Sequence, residues 1–168
     1  MLNINELSGF GALAVNLTHR WWRVRFTAPF YDGYDYYPDF AAVREVEMRL
    51  VPGGVDQTQL PGYVPVGGIY ISSSDGAGGP AYGAYDEVLS WSSGQHWTSG
   101  TVTAGGQWIG WVFDDAKPIA EMALDFGGYG VASLVIEYSD DGSNWFIAST
   151  HTGPAALETG WKTYLCFN

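Results

Sequence analysis

The stretch EYSDDGSNWF, residues 137–146, sets Glu137, Asp140 and Asp141 beside a glycine. Clustered carboxylates can ligate a hard cation or work as an acid–base pair. A calcium loop wants oxygen ligands at alternate positions before its glycine and a glutamate six residues after it. Here Glu137, Ser139, Asp141 and Gly142 fall at those positions, but Ala148 stands where the glutamate should be. An Asp-Gly step between two alternating apolar runs is instead a hairpin signal, because glycine readily takes the positive φ of a tight turn. The stretch therefore reads as a turn, with Trp145 a core ring at the start of the following strand.

Nucleophilic and metal-hydrolytic chemistry lacks its usual signatures. The chain has no G-x-S-x-G, no Walker loop, no H-E-x-x-H and no paired C-x-x-C, and His19, His96 and His151 are scattered. The segment GFGALA at residues 9–14 matches a dinucleotide fingerprint only loosely, with no strand before it. A non-catalytic protein is expected.

Aromatic loops carry the sharper signal. In FYDGYDYYPDF, residues 30–40, six of eleven residues are aromatic and three are aspartate. A second long connection, residues 72–106, holds DGAGGPAYGAYDEVLSWSSGQHWTSG. Long loops in a compact domain are usually functional or ordered by something specific. Sugars present C–H faces that stack on such rings, while neighbouring polar side chains bind their hydroxyls. Tyr31, Tyr34, Tyr36, Tyr37, Trp91, His96 and Trp97 are the candidate glycan contacts. The same rings could instead fill the core or a subunit interface, where Tyr and Trp are also enriched. Asp75 and Asp86, with Ser72, Ser73 and Ser74 nearby, are candidate oxygen ligands for a structural calcium.

What must position these loops is β structure. WWRVRFTA alternates Trp22, Val24 and Phe26 with Arg23 and Arg25. VREVEMRLV puts Val46, Met48 and Leu50 on one face and Glu45, Glu47 and Arg49 on the other. The same period of two runs through GGIYISSS, QWIGWVF, PIAEMALDF, ASLVIEYS, NWFIAST and GWKTYLCF. The last two would turn Trp145 and Ile147, then Trp161, Thr163, Leu165 and Phe167, to one face. Eight short strands separated by Gly, Pro, Asp and Ser clusters predict one all-β sandwich or barrel. It occupies residues 19–168, behind an arm or assembly segment at residues 1–18.

Composition agrees. Aromatic residues make up 16% of the chain and glycines number 23, which suits short strands joined by tight turns. The net charge of −11 argues against nucleic acid or an anionic membrane as partner, since both would be repelled. No stretch approaches the ~20 apolar residues of a membrane span. The start MLNINELSGFGALAV lacks a basic region and does not read as a signal peptide. The single Cys166 excludes an internal disulfide and is expected as a buried thiol.

In this order, RWWRVRFTA, AAVREVEMRL, ISSSDGAGGPAYGAYDE with HWTS, QWIGWVFDDAKPIAEMAL and IEYSDDGSNW resemble a discoidin-type, galactose-binding-like jelly roll. That family is related to the C-type domains of coagulation factors and to many carbohydrate-binding modules. The form with an opening W-R strand and an E-x-E strand is similar to domains of bacteriophage structural proteins. The resemblance covers about residues 20–167. It implies a jelly-roll sandwich and a glycan site on loops at one end. It also implies a structural calcium in the A-(aromatic)-D-G segment, where Ala84, Tyr85 and Asp86 match and Glu87 and Val88 depart. Asp86 is then the best single ligand.

The expected function is a virion recognition module, made in a host cytoplasm, that contacts cell-surface glycans and other virion proteins as a homo-oligomer. The alternatives are a purely structural decoration subunit, or a carbohydrate-binding accessory to a separate enzyme.

Overall fold

The computed structural model describes residues 18–100, 106–153 and 160–167. The expected arm at residues 1–18 lies, apart from Thr18, outside the described residues. The strands are β1 (His19–Phe26), β2 (Phe30–Tyr31), β3 (Tyr36–Tyr37), β4 (Ala42–Val43), β5 (Glu45–Arg49) and β6 (Gly68–Ser72). They continue as β7 (Trp97–Thr98), β8 (Trp108–Lys117), β9 (Glu121–Asp125), β10 (Gly130–Val131), β11 (Ser133–Ser139), β12 (Phe146–Thr152) and β13 (Trp161–Leu165). All eight runs read from the alternation are strands, and the protein is nearly all β, as an all-β sandwich requires. Among the described residues no helix is long and apolar enough to cross a membrane.

A five-stranded antiparallel sheet has the order β12-β11-β1-β8-β6, and a three-stranded one the order β13-β9-β5. Their inner faces share one core. Trp22, Val24, Ile109, Trp111, Leu134 and Ile136 come from the larger sheet, and Val46, Met48, Met122 and Leu124 from the smaller. Two small sheets, β10-β2-β3 and β4-β7, fold what the sequence shows only as loops into short pairings. Strands of two residues are too short to display a period, so alternation could not reveal them.

Burial follows the alternation in the central strands and departs from it in three places. Glu45 and Glu121 lie on the face of the smaller sheet away from the core, yet both are buried, as is Asp125. Arg49 bridges Glu47 and Glu121, and Arg44 pairs with Asp125, so most of these acids carry counter-charges. On β13, Trp161 and Leu165 are exposed, while the neighbouring Tyr164 packs on the core and Cys166 is a buried free thiol.

Trp145 is the third departure. It is not a core ring but lies half-buried on the outer face of the larger sheet. Its ring meets Trp21 edge-on at 6.5 Å, and the Arg23 guanidinium sits 3.7 Å above it. Arg23 and Arg25 both donate to Glu137, at 2.7 Å each. A bulge between Ile136 and Glu137 shifts the β11–β12 register, and Ile147 ends exposed. An edge strand beyond a bulge no longer inherits the facing of its neighbour.

The DDG stretch is the hairpin turn expected. Gly142 has φ +72° and lies so close to Trp21 that a Cβ would come within 2.9 Å of its ring. Asp141 Oδ1 accepts from the Ser143 and Asn144 N–H groups at 2.8 and 2.7 Å. These bonds hold the Asp141 carboxyl well below the usual carboxylate range. The stabilisation is therefore present at neutral pH and is lost on acidification through that depressed value. Asp141→Ala is expected to speed amide exchange at Ser143 and Asn144 about tenfold while core protection is kept, as read by hydrogen-exchange NMR.

Candidate functional site

The first aromatic segment folds as a hairpin. Asp32 Oδ1 accepts from the N–H groups of Tyr34 and Asp35, both at 2.9 Å, and Gly33 takes φ +101° at the tip. Tyr37 donates its hydroxyl to Asp32 Oδ2 at 2.7 Å, and Tyr31 donates to the Gly33 carbonyl at 2.7 Å. The backbone N–H of Asp35, the Tyr37 hydroxyl and the Tyr34 N–H lower the Asp32 carboxyl, and bonding to that carboxylate raises the Tyr37 phenol. Tyr31 and Tyr36 lie ring to ring at 4.8 Å. Tyr34 and Tyr36 are 92% and 59% exposed, so the hairpin tip presents rings to solvent on a rigid, hydrogen-bonded base.

The second segment is pinned to the smaller sheet. Trp91 donates its indole N–H to the Gly127 carbonyl at 3.0 Å and keeps 37% of its surface exposed. The Arg44 guanidinium lies 5.9 Å from the Trp91 ring centroid. Asp125, fully buried, fixes Arg44 through Oδ1 at 2.8 Å, and the same oxygen accepts the Gly127 N–H. A Cβ on Gly127 would stand 2.4 Å from the Trp91 ring and 2.5 Å from Arg44 Nε, and its φ is +57°. Only glycine lets the backbone, the indole and the guanidinium meet there.

These two segments converge. Tyr37 meets Phe40 at 5.9 Å, Phe40 meets Tyr129 at 5.6 Å, Tyr129 meets Trp91 at 5.4 Å, and Trp91 meets His96 at 5.1 Å. Phe40 and Tyr129 both touch the buried Phe30, which ties this belt to the core. The structure thus brings Tyr37, Trp91 and His96 into one line of rings, with Tyr31, Tyr34 and Tyr36 on the adjoining hairpin. Phe40, Tyr129 and Arg44 complete the line and were not singled out from the sequence. Tyr129 had one available signal, a lone ring among glycines in FGGYGV.

Trp97 does not belong to the site. It is 0% exposed, donates its indole N–H to the Ser74 carbonyl at 3.0 Å and stacks near Phe26. Pairing of Val43 with Trp97 turns the ring inward, so no ligand can reach it.

The two candidate calcium ligands have different surroundings. Asp75 Oδ1 accepts from the Ser72 hydroxyl and the Ala81 N–H, which anchors the 3-10 turn Ala81–Ala84. Asp86 Oδ1 accepts the Val88 N–H, but its Oδ2 is buried with no partner. Glu45 Oε2 and the Tyr85 hydroxyl are buried and unpartnered as well. Burial, then the nearby charges of Asp86, Asp56 and Glu47, push the Glu45 carboxyl up from 4.5 to about 9. Burial also raises the Asp86 carboxyl. Glu87 donates its N–H to Glu45 from a backbone at φ +63°. That is the left-handed conformation a glycine would adopt freely. Two orphaned carboxylate oxygens are the donor type a hard cation takes. Among the described residues, however, no three His, Cys, Asp or Glu side chains form a group that could hold a metal.

Compared with known proteins, the chain matches no family model, no curated protein and no solved structure.

Proposed function

We propose that this protein is a non-catalytic recognition module whose aromatic belt binds glycans. The observation that carries the reading is the line of rings Tyr37–Phe40–Tyr129–Trp91–His96, flanked by the exposed Tyr34 and Tyr36. Aromatic faces bury the C–H surfaces of a sugar without needing a deep cavity, and Tyr hydroxyls and the His96 ring offer hydrogen bonds at the rim. Arg44, Asp125 and Gly127 position Trp91 and are not themselves ligand contacts. Asp86 and Glu45 are the two carboxylates that would hold a calcium ion, and carbonyl oxygens would have to complete the site.

The setting follows from the resemblance to galactose-binding-like jelly rolls of phage structural proteins. The module belongs on a virion and contacts a host-surface polysaccharide. A glycan array probed with the full chain, with and without calcium, tests this. Binding to at least one surface polysaccharide supports the reading, and binding to none removes it.

A second reading, a structural subunit of such a particle, is favoured by the sandwich edges. Phe146 and Ile147 on β12 and Trp161 and Leu165 on β13 are all exposed, and edge strands with apolar side chains invite pairing with a neighbour.

A further inference from the structure

A cavity of about 260 Å³ opens at the other end of the sandwich. β8 begins at Trp108, next to Gln107, whose amide donates to the Pro38 carbonyl between the belt residues Tyr37 and Phe40, and ends at Lys117, paired with His19. The cavity lies at that far end, lined by Asp56, Gln57, Gln59, Val66, Phe113 and Lys117 among others. We propose that it binds one small zwitterion of the amino-acid type, a site separate from the glycan belt.

Asp56 Oδ1 is fully used, accepting from the Met48 N–H, the Thr58 N–H and the Thr58 hydroxyl at 2.9, 3.0 and 2.7 Å. These three bonds fix the orientation of the carboxylate. Its Oδ2 makes no hydrogen bond among the described residues, nor do the Gln59 amide and the Lys117 ammonium. Asp56 and Lys117 line the same cavity and still form no ion pair. Two opposite charges lining one small space, each without a counter-charge among the described residues, suit a ligand that carries both charges. A neutral sugar would displace water from both without replacing the counter-charge.

Size selects the same class. The volume corresponds to roughly nine waters at about 30 Å³ each. It falls just below the ~300–1,000 Å³ of typical ligand pockets, which suits a single small monomer. In the bound state the ligand ammonium donates to Asp56 Oδ2, the carboxylate accepts from Lys117, and Gln59 meets either end. Val66 and Phe113 supply an apolar wall for a side chain of moderate size.

The test is an amide-shift NMR titration of the full chain with L-valine, valinamide, isovalerate and glucose. L-Valine is expected to saturate the shifts of Gln57 and Gly67 at least about tenfold more tightly than valinamide or isovalerate. Asp56→Asn disturbs the bonds to Met48 and Thr58, so the decisive variants are Lys117→Met and Gln59→Leu, which leave those bonds alone. Lys117→Met is expected to bring L-valine down to the affinity of valinamide. Equal binding of L-valine and its two half-analogues overturns the proposal. So does unchanged affinity in both variants, tighter binding of glucose, or no binding of any of the four.

Discussion

Glu45→Gln is expected to raise the unfolding midpoint near pH 8 in chelator-containing buffer and to leave it unchanged near pH 4. In the folded protein the Glu45 carboxyl is pushed up to about 9, chiefly by burial and then by Asp86, Asp56 and Glu47. Its Oε2 has no partner, and the Glu87 N–H offsets only part of the cost of ionising it. Below the unfolded value of 4.5 both states carry the proton, so this group imposes no penalty. Between that value and the folded one the unfolded chain releases the proton first, and stability falls as pH rises, by at most about 1.4 kcal/mol per pH unit. The loss by pH 8 is on the order of a few kcal/mol. Glutamine keeps the acceptor for the Glu87 N–H, cannot ionise, and so flattens the slope. Thermal or denaturant melts across this range read it directly.

Calcium separates the two roles open to this cluster. A cation held by Asp86 and Glu45 keeps both ionised. Added calcium then raises the wild-type midpoint at pH 8 and does much less for Glu45→Gln. An identical response in both proteins removes Glu45 as a ligand.

The second large effect contrasts two tryptophans. Trp97→Ala is expected to cost about 3–5 kcal/mol in denaturant melts, because it empties a fully buried indole site between Phe26 and the β4 pairing. Global stabilities of about 5–15 kcal/mol leave little margin for such a loss. Trp91→Ala, at a half-exposed ring held by one hydrogen bond, is expected to cost about 1 kcal/mol. An equal cost at both positions would mean that Trp91 is a core residue and that the belt is structural.

The comparison of these two rings shows what was legible in the sequence. Both sit in Gly- and Ser-rich surroundings at the same end of one long connection, and nothing in their spacing separates them. Only the pairing of Trp97 with Val43 in a two-residue strand turns it inward. The eight main strands were legible because each is long enough to show alternation, and the DG turn because its glycine must take a positive φ. Alternation says which residues share a face but not whether that face is covered. Glu45, Glu121 and Asp125 alternate as a solvent face does, and are buried. Trp145, Ile147, Trp161 and Leu165 alternate as a core face does, yet they fall on or beside edge strands and face outward. The belt depended on contacts across the chain, since Phe40, Trp91 and Tyr129 are far apart in sequence and meet only in the folded protein.

The most direct measurement is calorimetric titration of wild type and Trp91→Ala with the best glycan found on the array. An affinity at least about tenfold weaker in Trp91→Ala, with its melting midpoint nearly kept, is the predicted result, equivalent to about 1.4 kcal/mol of lost binding. Equal affinity in the two proteins would contradict the assignment of the belt as the glycan site.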